Sequence, residues 1–210
     1  MVRSQAARGG RNRETAVQAQ ARLLKELSTT RKCVSAADYE RLAKETPGLR
    51  VAAAKALPAY DPDEPTGVSR LPAVTVVAVP AGVGQRPLPD RRFLAAVQRQ
   101  MDAVRPIGIQ VKVVPPVYVE IEADVILRGG TKDAADQLRE RLSCWLTEAG
   151  IGGTLLAGEA WTLAQALPGV LQVRKLTLRA VSPGCYQTEE GDIRLPPRAI
   201  PWLGRLRVEQ

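Results

Sequence analysis

The sequence predicts an α+β fold made of two small ferredoxin-like α/β sandwich units in tandem, preceded by a basic tail and a helix. The first observation is a repeat. Residues 35–57 (SAADYERLAKETPGLRVAAAKAL) and 157–178 (AGEAWTLAQALPGVLQVRKLTL) each contain a short amphipathic helix, a Pro-Gly pair and a strand. Proline disfavours helical geometry in the residue before it, and glycine accepts the backbone that often ends a helix. The second observation is the alternation of apolar and polar residues in 117–127 (VYVEIEADVIL), which predicts a strand with one buried face.

The first unit is predicted to span residues 33–115 in the order helix, strand, strand, helix, strand. Ser35, with Asp38 three residues later, has the arrangement of a capping box, and Asp90 is placed to cap the second helix. The β-branched run AVTVVAV predicts a buried strand. The predicted elements are a helix from Ser35 to Pro47, strands over 49–57 and 73–79, a helix over 90–104 and a strand over 109–114.

The second unit is predicted to span residues 116–210 and to include a C-terminal arm. Its boundary is the stiff, short Pro115-Pro116 joint. The predicted elements are a strand over 117–127, a helix capped by Thr131 that runs to Ala149, a loop or short edge strand over 151–157, the second Pro-Gly helix, a strand over 170–180, a hairpin around Glu190-Gly191 and a strand over 204–208.

The N-terminal region, residues 1–32, is predicted to be a flexible basic tail followed by an amphipathic helix over 14–28. It holds eight Lys or Arg residues against two Glu, so most of the chain's net charge of +8 lies here. Such a tail either binds phosphates or is simply solvated, and the second interpretation is favoured. The helix carries a narrow apolar stripe of Val17, Ala21 and Leu24, which suits packing against a partner.

The composition excludes several kinds of chemistry. The chain has no histidine, which removes histidine-based triads and histidine metal ligands. Its cysteines, Cys33, Cys144 and Cys185, match no paired metal or redox spacing and suit a reducing compartment. Cys144 falls within an amphipathic helix and is expected in the core. We therefore expect no catalytic residue, no metal and no cofactor, and no apolar run approaches the ~20 residues that cross a bilayer.

Three segments have both a functional and a structural interpretation. Glu120, Glu122 and Asp124 share the polar face of one strand, where carboxylates could hold a cation, but alternation and pairing to basic residues on a neighbouring strand explain them. The acidic segment 61–67 (DPDEPTG) lacks the glutamate that would complete a calcium loop. Segment 81–86 (AGVGQR) lacks the Lys-Ser/Thr pair of a phosphate loop. We interpret all three as surface features.

The order of these segments resembles the baseplate J-like proteins, wedge components of contractile phage tails and related injection systems. The most specific pieces are the Ser-Ala-Ala-Asp-Tyr helix with its Pro-Gly pair and the segment RPIGIQVKVVPPVYV (105–119). The resemblance is strongest over residues 33–127, and the closing IRLPPRAIPWLGRLRVE is similar to the C-terminal arm of longer injection-system members. Because family members usually carry a substantial preceding region, the chain is expected to be a short or split member, or the C-terminal part of a longer subunit.

The resemblance implies a non-enzymatic scaffold that assembles in the cytoplasm around the tail hub of a phage or injection particle. Its partners would be other wedge and hub subunits, including further copies of itself or a paralogue, with no membrane involved. The family supplies no catalytic residue to carry over. In the arm, Ile200, Trp202 and Leu203 combine with prolines and arginines, so Trp202 either anchors an interface or closes the core of its own unit.

Two other functions compete with this one. A nucleic-acid-binding protein with tandem ferredoxin-like domains and a basic arm would display aromatic residues on exposed strands, and the predicted strands carry only Tyr118. We therefore do not expect nucleic acid as a partner. A small enzyme on an acylphosphatase-like unit would need an arginine-bearing phosphate cradle, for which segment 81–86 is the sole, poor candidate.

Overall fold

The computed structural model describes residues 14–28, 32–82, 84, 86–182 and 184–209. The chain divides into two compact units, residues 1–32 and residues 33–210. The first contains the predicted amphipathic helix, α1 (Ala16–Ser28). Thr15 and Gln18 exchange bonds between side chain and backbone N–H at its start, and Arg22 pairs with Glu14 at 3.1 Å. The predicted basic tail, residues 1–13, lies outside the described residues.

The second unit contains four helices and nine strands among its described residues. In chain order they are α2 (Ala36–Lys44), β1 (Val51–Pro58), β2 (Ala73–Pro80), α3 (Arg91–Val104), β3 (Gln110–Val114), β4 (Val117–Gly129), α4 (Ala134–Ala149), β5 (Thr154–Leu155), α5 (Ala157–Gln165), β6 (Val170–Ala180), β7 (Tyr186–Gln187), β8 (Ile193–Arg194) and β9 (Ala199–Glu209).

Residues 33–114, here called the first lobe, form a three-stranded sheet with β2 at its centre. Strand β1 pairs with β2 antiparallel and β3 pairs with it parallel. Helices α2 and α3 pack on this sheet and close a core that includes Tyr39, Val76, Val97 and Met101. Both predicted caps are confirmed: Ser35 and Asp38 form the capping box, and Asp90 accepts the Phe93 N–H at 2.7 Å.

Residues 117–209, here called the second lobe, form a sheet in the order β6-β4-β9. Here β4 is central, antiparallel to β6 and parallel to β9. Helix α4 packs on β9 and α5 on β6, while the short strands β5, β8 and β7 make a separate small sheet. The core of this lobe includes Ile121, Leu127, Leu138 and Leu142. The two lobes confirm the α+β class.

The repeated Pro-Gly segments have the same backbone geometry. After α2, the N–H groups of Thr46 and Leu49 donate to the carbonyls of Ala43 and Thr46, each at 3.3 Å. After α5, the N–H groups at 167 and 170 donate to the carbonyls at 164 and 167, also at 3.3 Å. Gly48 and Gly169 have φ values of 77° and 75°, which explains the glycines because other residues are strained there. Both helices end three residues before the proline.

Three expectations need correction. Helix α4 begins at Ala134 with Asp133 at its N-cap position, so Thr131 does not cap it and instead accepts the Ala134 N–H through its carbonyl. Cys144 is exposed, because it lies on the solvent side of α4 rather than on the stripe of Leu138, Leu142 and Leu146. Strand β9 begins at 199 rather than 204. Its prolines therefore do not prevent pairing, and Pro201 lies opposite Val119.

Candidate functional site

A cleft of about 570 Å³ lies between the two lobes. The first lobe contributes Ala53, Val79 and Pro87 to its wall. The second contributes Tyr118 of β4, together with Ile200 and Trp202 of β9. These side chains meet because β4 and β9 are parallel neighbours in register, Tyr118 opposite Ile200 and Glu120 opposite Trp202. Even-numbered side chains of β4 point away from the core, so they face the first lobe at this end of the sheet.

Two polar contacts cross the cleft from the loop that follows β2. The Arg86 guanidinium lies over the Trp202 ring, 4.2 Å from its centroid, in a cation–π arrangement. The Tyr118 hydroxyl donates to the Pro87 carbonyl at 2.9 Å, and burial raises the pKa of this phenol. Sequence reasoning missed both contacts because they join residues far apart in the chain. Together they hold the lobes against each other.

The free thiols and one serine hydroxyl in the cleft and the cores are the groups to consider as nucleophiles. Burial, followed by the charge of Asp38, raises the pKa of the Cys33 thiol to about 11. Burial also raises the pKa of Cys185. Cys144 lines the cleft as an exposed free thiol, and the neighbouring Ser143 donates its hydroxyl to the Arg139 carbonyl at 2.7 Å. A nucleophile needs a lowered pKa or an adjacent base, and the pKa values of Cys33 and Cys185 are raised instead.

The row of carboxylates on β4 is flanked by cations on both neighbouring strands. Glu122 lies opposite Arg179 of β6, and the Arg205 side chain approaches it at 3.9 Å. Asp124 lies opposite Arg207 of β9. This confirms the pairing with basic neighbours for Glu122 and Asp124, whereas Glu120 lies opposite Trp202. Within the described residues, no group of three or more Cys, Asp or Glu side chains is arranged to hold a metal ion.

The acidic loop after β1 is neutralised by a lysine. The Lys112 ammonium donates to Asp61 at 3.0 Å and also contacts the Asp63 carboxylate. It thus occupies the position that a bound cation would need. The Asp63 N–H and then Lys112 lower the pKa of Asp61, while the bonds to Asp63 and Asp61 raise the pKa of Lys112.

The candidate phosphate cradle, segment 81–86, is only partly described, because residues 83 and 85 lie outside the described residues. Its arginine, Arg86, lies on Trp202 instead of pointing toward the start of α3. The α3 N-terminus already has an anionic partner, the Asp90 carboxylate. These contacts favour a structural interpretation of the segment.

The predicted interface residues fall in three environments. Val17 and Leu24 of α1 expose 77% and 61% of their surface, and Ala21 is exposed beside them. Ile200 and Trp202 are half-buried in the cleft wall. Leu203 is only 8% exposed and packs in the core of the second lobe, so its contribution is to folding.

Comparison with solved structures finds a baseplate protein of similar fold. A chain in the cryo-EM structure of the anti-feeding prophage (AFP) baseplate, 6-fold symmetrised, matches with a TM-score of 0.63 and 14% sequence identity. The match covers 96% of this chain and 43% of that chain, so the present chain spans less than half of its length. At this identity the likeness is one of fold. Neither a family model nor a curated protein sequence matches the chain. Among the described residues, no helix combines the length and apolar character that crossing a membrane requires.

Proposed function

We propose that this chain is a structural, non-enzymatic component of the baseplate of a contractile injection system or phage tail, and that it is a wedge protein of the baseplate J-like type. The observation that carries the proposal is the fold shared with a chain of the anti-feeding prophage baseplate over 96% of the present sequence. The segment at 105–119, whose pattern resembles baseplate J-like proteins, supports the finer assignment.

The internal geometry suits a scaffold. Contacts from the loop after β2 brace the two lobes, through Arg86 on Trp202 and Tyr118 on Pro87. The clustered carboxylates have cationic neighbours within the chain, which leaves them little capacity for acid–base chemistry or metal binding. A rigid body with neutralised charge clusters can transmit load and hold partners at fixed positions.

The proposed partners are other wedge and hub subunits, including further copies or a paralogue. Helix α1 provides one docking element, because its stripe of Val17, Ala21 and Leu24 is exposed and too narrow for a stable lone contact. A helix of this kind contributes to a bundle formed with helices of other subunits. Trp202 is the second candidate, through the part of its ring that remains accessible in the cleft.

The proposal is tested by following the full chain into particles. A tagged copy is expressed in the source cells, and sheathed particles are purified by sedimentation and imaged. We expect the chain to co-sediment and to occupy baseplate density, and Leu24→Asp to reduce incorporation without lowering the melting temperature. Ala19→Asp, outside the stripe on the same helix, serves as the matched control. Intact particles without the chain would refute the baseplate role, and unfolding by Leu24→Asp would refute the docking role of α1.

The aromatic residues on the strands give the nucleic-acid alternative little support. Trp202 joins Tyr118 on a strand, because β9 is longer than the sequence predicted. Both rings are engaged, one under Arg86 and one through its hydroxyl, and Tyr186 of the two-residue strand β7, although exposed, is a single ring rather than a stacking platform. The adjacent Glu120 carboxylate, which lies opposite Trp202, would also repel a phosphate backbone.

A further inference from the structure

The outer edges of the two main sheets differ in how their backbone groups are satisfied. An edge strand presents a row of N–H and C=O groups that can pair with a strand from another chain. The four edge strands here are β1 and β3 in the first lobe, and β6 and β9 in the second. Side chains from other elements bond along β1, β3 and β6, whereas on β9 Arg139 of α4 donates to the Gly204 carbonyl, at 3.5 Å, near the middle of the strand.

On β3 and β6, side-chain amides make the hydrogen bonds that a neighbouring strand would otherwise make. Gln98 of α3 donates to the Val111 carbonyl at 2.9 Å and accepts the Val113 N–H at 2.8 Å. Gln165 of α5 repeats this arrangement on β6, donating to the carbonyl at 171 at 3.4 Å and accepting the N–H at 173 at 3.0 Å.

The other bonds of this kind come from one carboxylate and one further amide. Glu40 of α2 accepts the Ala56 N–H of β1 at 3.1 Å. Gln187 of β7 donates to the Leu178 carbonyl of β6 at 2.7 Å. These side chains occupy the positions at which an incoming strand would have to bond.

Strand β9 is blocked only in its first half. The Gly152 N–H bonds to the Ala199 carbonyl at 2.8 Å, and Pro201 has no N–H to offer. A bulge follows where β4 pairing passes from Leu203 to Leu206. Gly204 permits this close passage, because a Cβ there would lie 2.5 Å from Cγ of Glu120.

Beyond the bulge the edge is open. The Val117 N–H donates to the Arg198 carbonyl, so alternate residues of β9 direct their peptide groups toward β4. The bulge shifts the pairing by one residue. Beyond it, the peptide groups of Leu206 and Val208 therefore point away from β4. No side chain or backbone group in the described part of the chain bonds to these outward groups.

Two of the three charged side chains on this open stretch are positive, Arg205 and Arg207, and the third, Glu209 at its end, is negative. Arg205 and Arg207 are exposed, two positions apart, on the solvent face of β9. Arg205 has an ion pair only at 3.9 Å, and within the described residues no ion pair within 4 Å involves Arg207. Charges on an edge repel strands of like charge and favour a neighbour of opposite charge.

We propose that the outer edge of β9, over residues 205–209, accepts an extended acidic segment of a partner protein as an added strand. The partner strand would bond to the peptide groups of Leu206 and Val208. It would place acidic side chains, two positions apart, beside Arg205 and Arg207. The inference goes beyond the baseplate assignment and does not depend on it.

The test uses the full chain and a short peptide in which glutamate alternates with valine, followed by backbone amide NMR. We expect saturable shifts concentrated in β9. Arg205→Glu with Arg207→Glu should weaken binding about tenfold or more, since two cross-strand ion pairs are lost. The same double variant should gain affinity for a peptide of alternating lysine and valine. Arg174→Glu with Lys175→Glu, on the closed edge strand β6, is the matched control and should leave binding unchanged.

Backbone pairing is tested separately from charge. N-methylation of the valines removes their peptide N–H donors without altering the charge of the peptide. When the glutamates of the peptide face Arg205 and Arg207, this modification should abolish binding. Binding unaffected by methylation of either alternate set would overturn the proposal, because attraction would then be purely electrostatic. It would equally be overturned by shifts centred away from β9, by an absence of saturable binding, or by self-association of the chain through β9 that Val208→Pro removes.

Discussion

The two lobes contain the same structural parts in a different chain order. In each, a central strand has one antiparallel and one parallel neighbour, a Pro-Gly helix packs on the former and a longer helix on the latter. In the first lobe the Pro-Gly segment (α2-β1) precedes the central strand and longer helix (β2-α3). In the second lobe it follows them, as α5-β6 after β4-α4. The same packing of helices on a sheet is therefore reached with two different chain orders. Only the Pro-Gly segment, whose turn requires particular residues, repeats in the sequence.

The largest expected effect comes from matched core truncations, one in each lobe. Met101→Ala in the first lobe and Leu142→Ala in the second should each lower the unfolding free energy by about 3 kcal/mol, because both side chains are buried. All three tryptophans lie in the second lobe, so their fluorescence reports on that lobe, while far-UV circular dichroism reports on both. Residues 33–210 form one compact unit, and we expect coincident urea transitions. Separate transitions would show that the lobes unfold independently.

A smaller effect is expected at the junction. Trp202→Ala should cost about 2 kcal/mol, because the ring is half-buried and covered by Arg86. Arg86→Ala should cost about 0.5–1 kcal/mol, and the double variant should reveal coupling of similar size. Trp161→Ala, a partly exposed tryptophan on α5, should show no coupling to Arg86. A loss of 3–5 kcal/mol for Trp202→Ala alone would instead assign the ring to the core of its lobe.

The next prediction concerns the glutamines that close the edges of the two lobes. Gln98→Leu and Gln165→Leu should each cost about 1 kcal/mol, because each leaves a backbone N–H and carbonyl without its partner. They should also promote association at high concentration, detectable by light scattering. Gln100→Leu, on the same helix as Gln98, is the control. Unchanged mass and stability in both variants would remove the role assigned to these glutamines.

The smallest effect is expected at the acidic loop, which the second lobe lacks. The folded-state pKa of Asp61 is lowered, so its contribution to stability is present above the unfolded-state pKa, near 3.8, and is lost as the pH falls through the folded value. Asp61→Asn should therefore lower the melting temperature slightly at neutral pH, with the difference shrinking at acidic pH. A difference that persists at the lowest pH would indicate a cause other than ionisation.

Local chemistry made much of this architecture predictable. The Pro-Gly turns, the caps at Ser35 and Asp90 and the alternation in β4 depend on neighbours in sequence, and all three predictions are confirmed. Features that depend on distant partners were missed. The last strand was predicted to begin only at 204, after the prolines, because proline cannot donate to a ladder, yet on an edge strand the nitrogen of Pro201 faces outward. The Arg86–Trp202 contact and the glutamines at 98 and 165 have no local pattern that distinguishes them from solvated side chains.

The difference in chain order also affects the order of folding. In the first lobe, the parallel pair β2-β3 joins residues such as Ala73 and Gln110. In the second lobe, β4 pairs with β9. Val117 and Ala199 are separated by more than twice as many residues as Ala73 and Gln110. Closing the longer loop costs more entropy, by about 0.7 kcal/mol on a simple polymer estimate. The first lobe is therefore expected to form early and to serve as a template against which the second lobe, closed by its last strand, is completed. In stopped-flow refolding, tryptophan fluorescence should then lag behind circular dichroism.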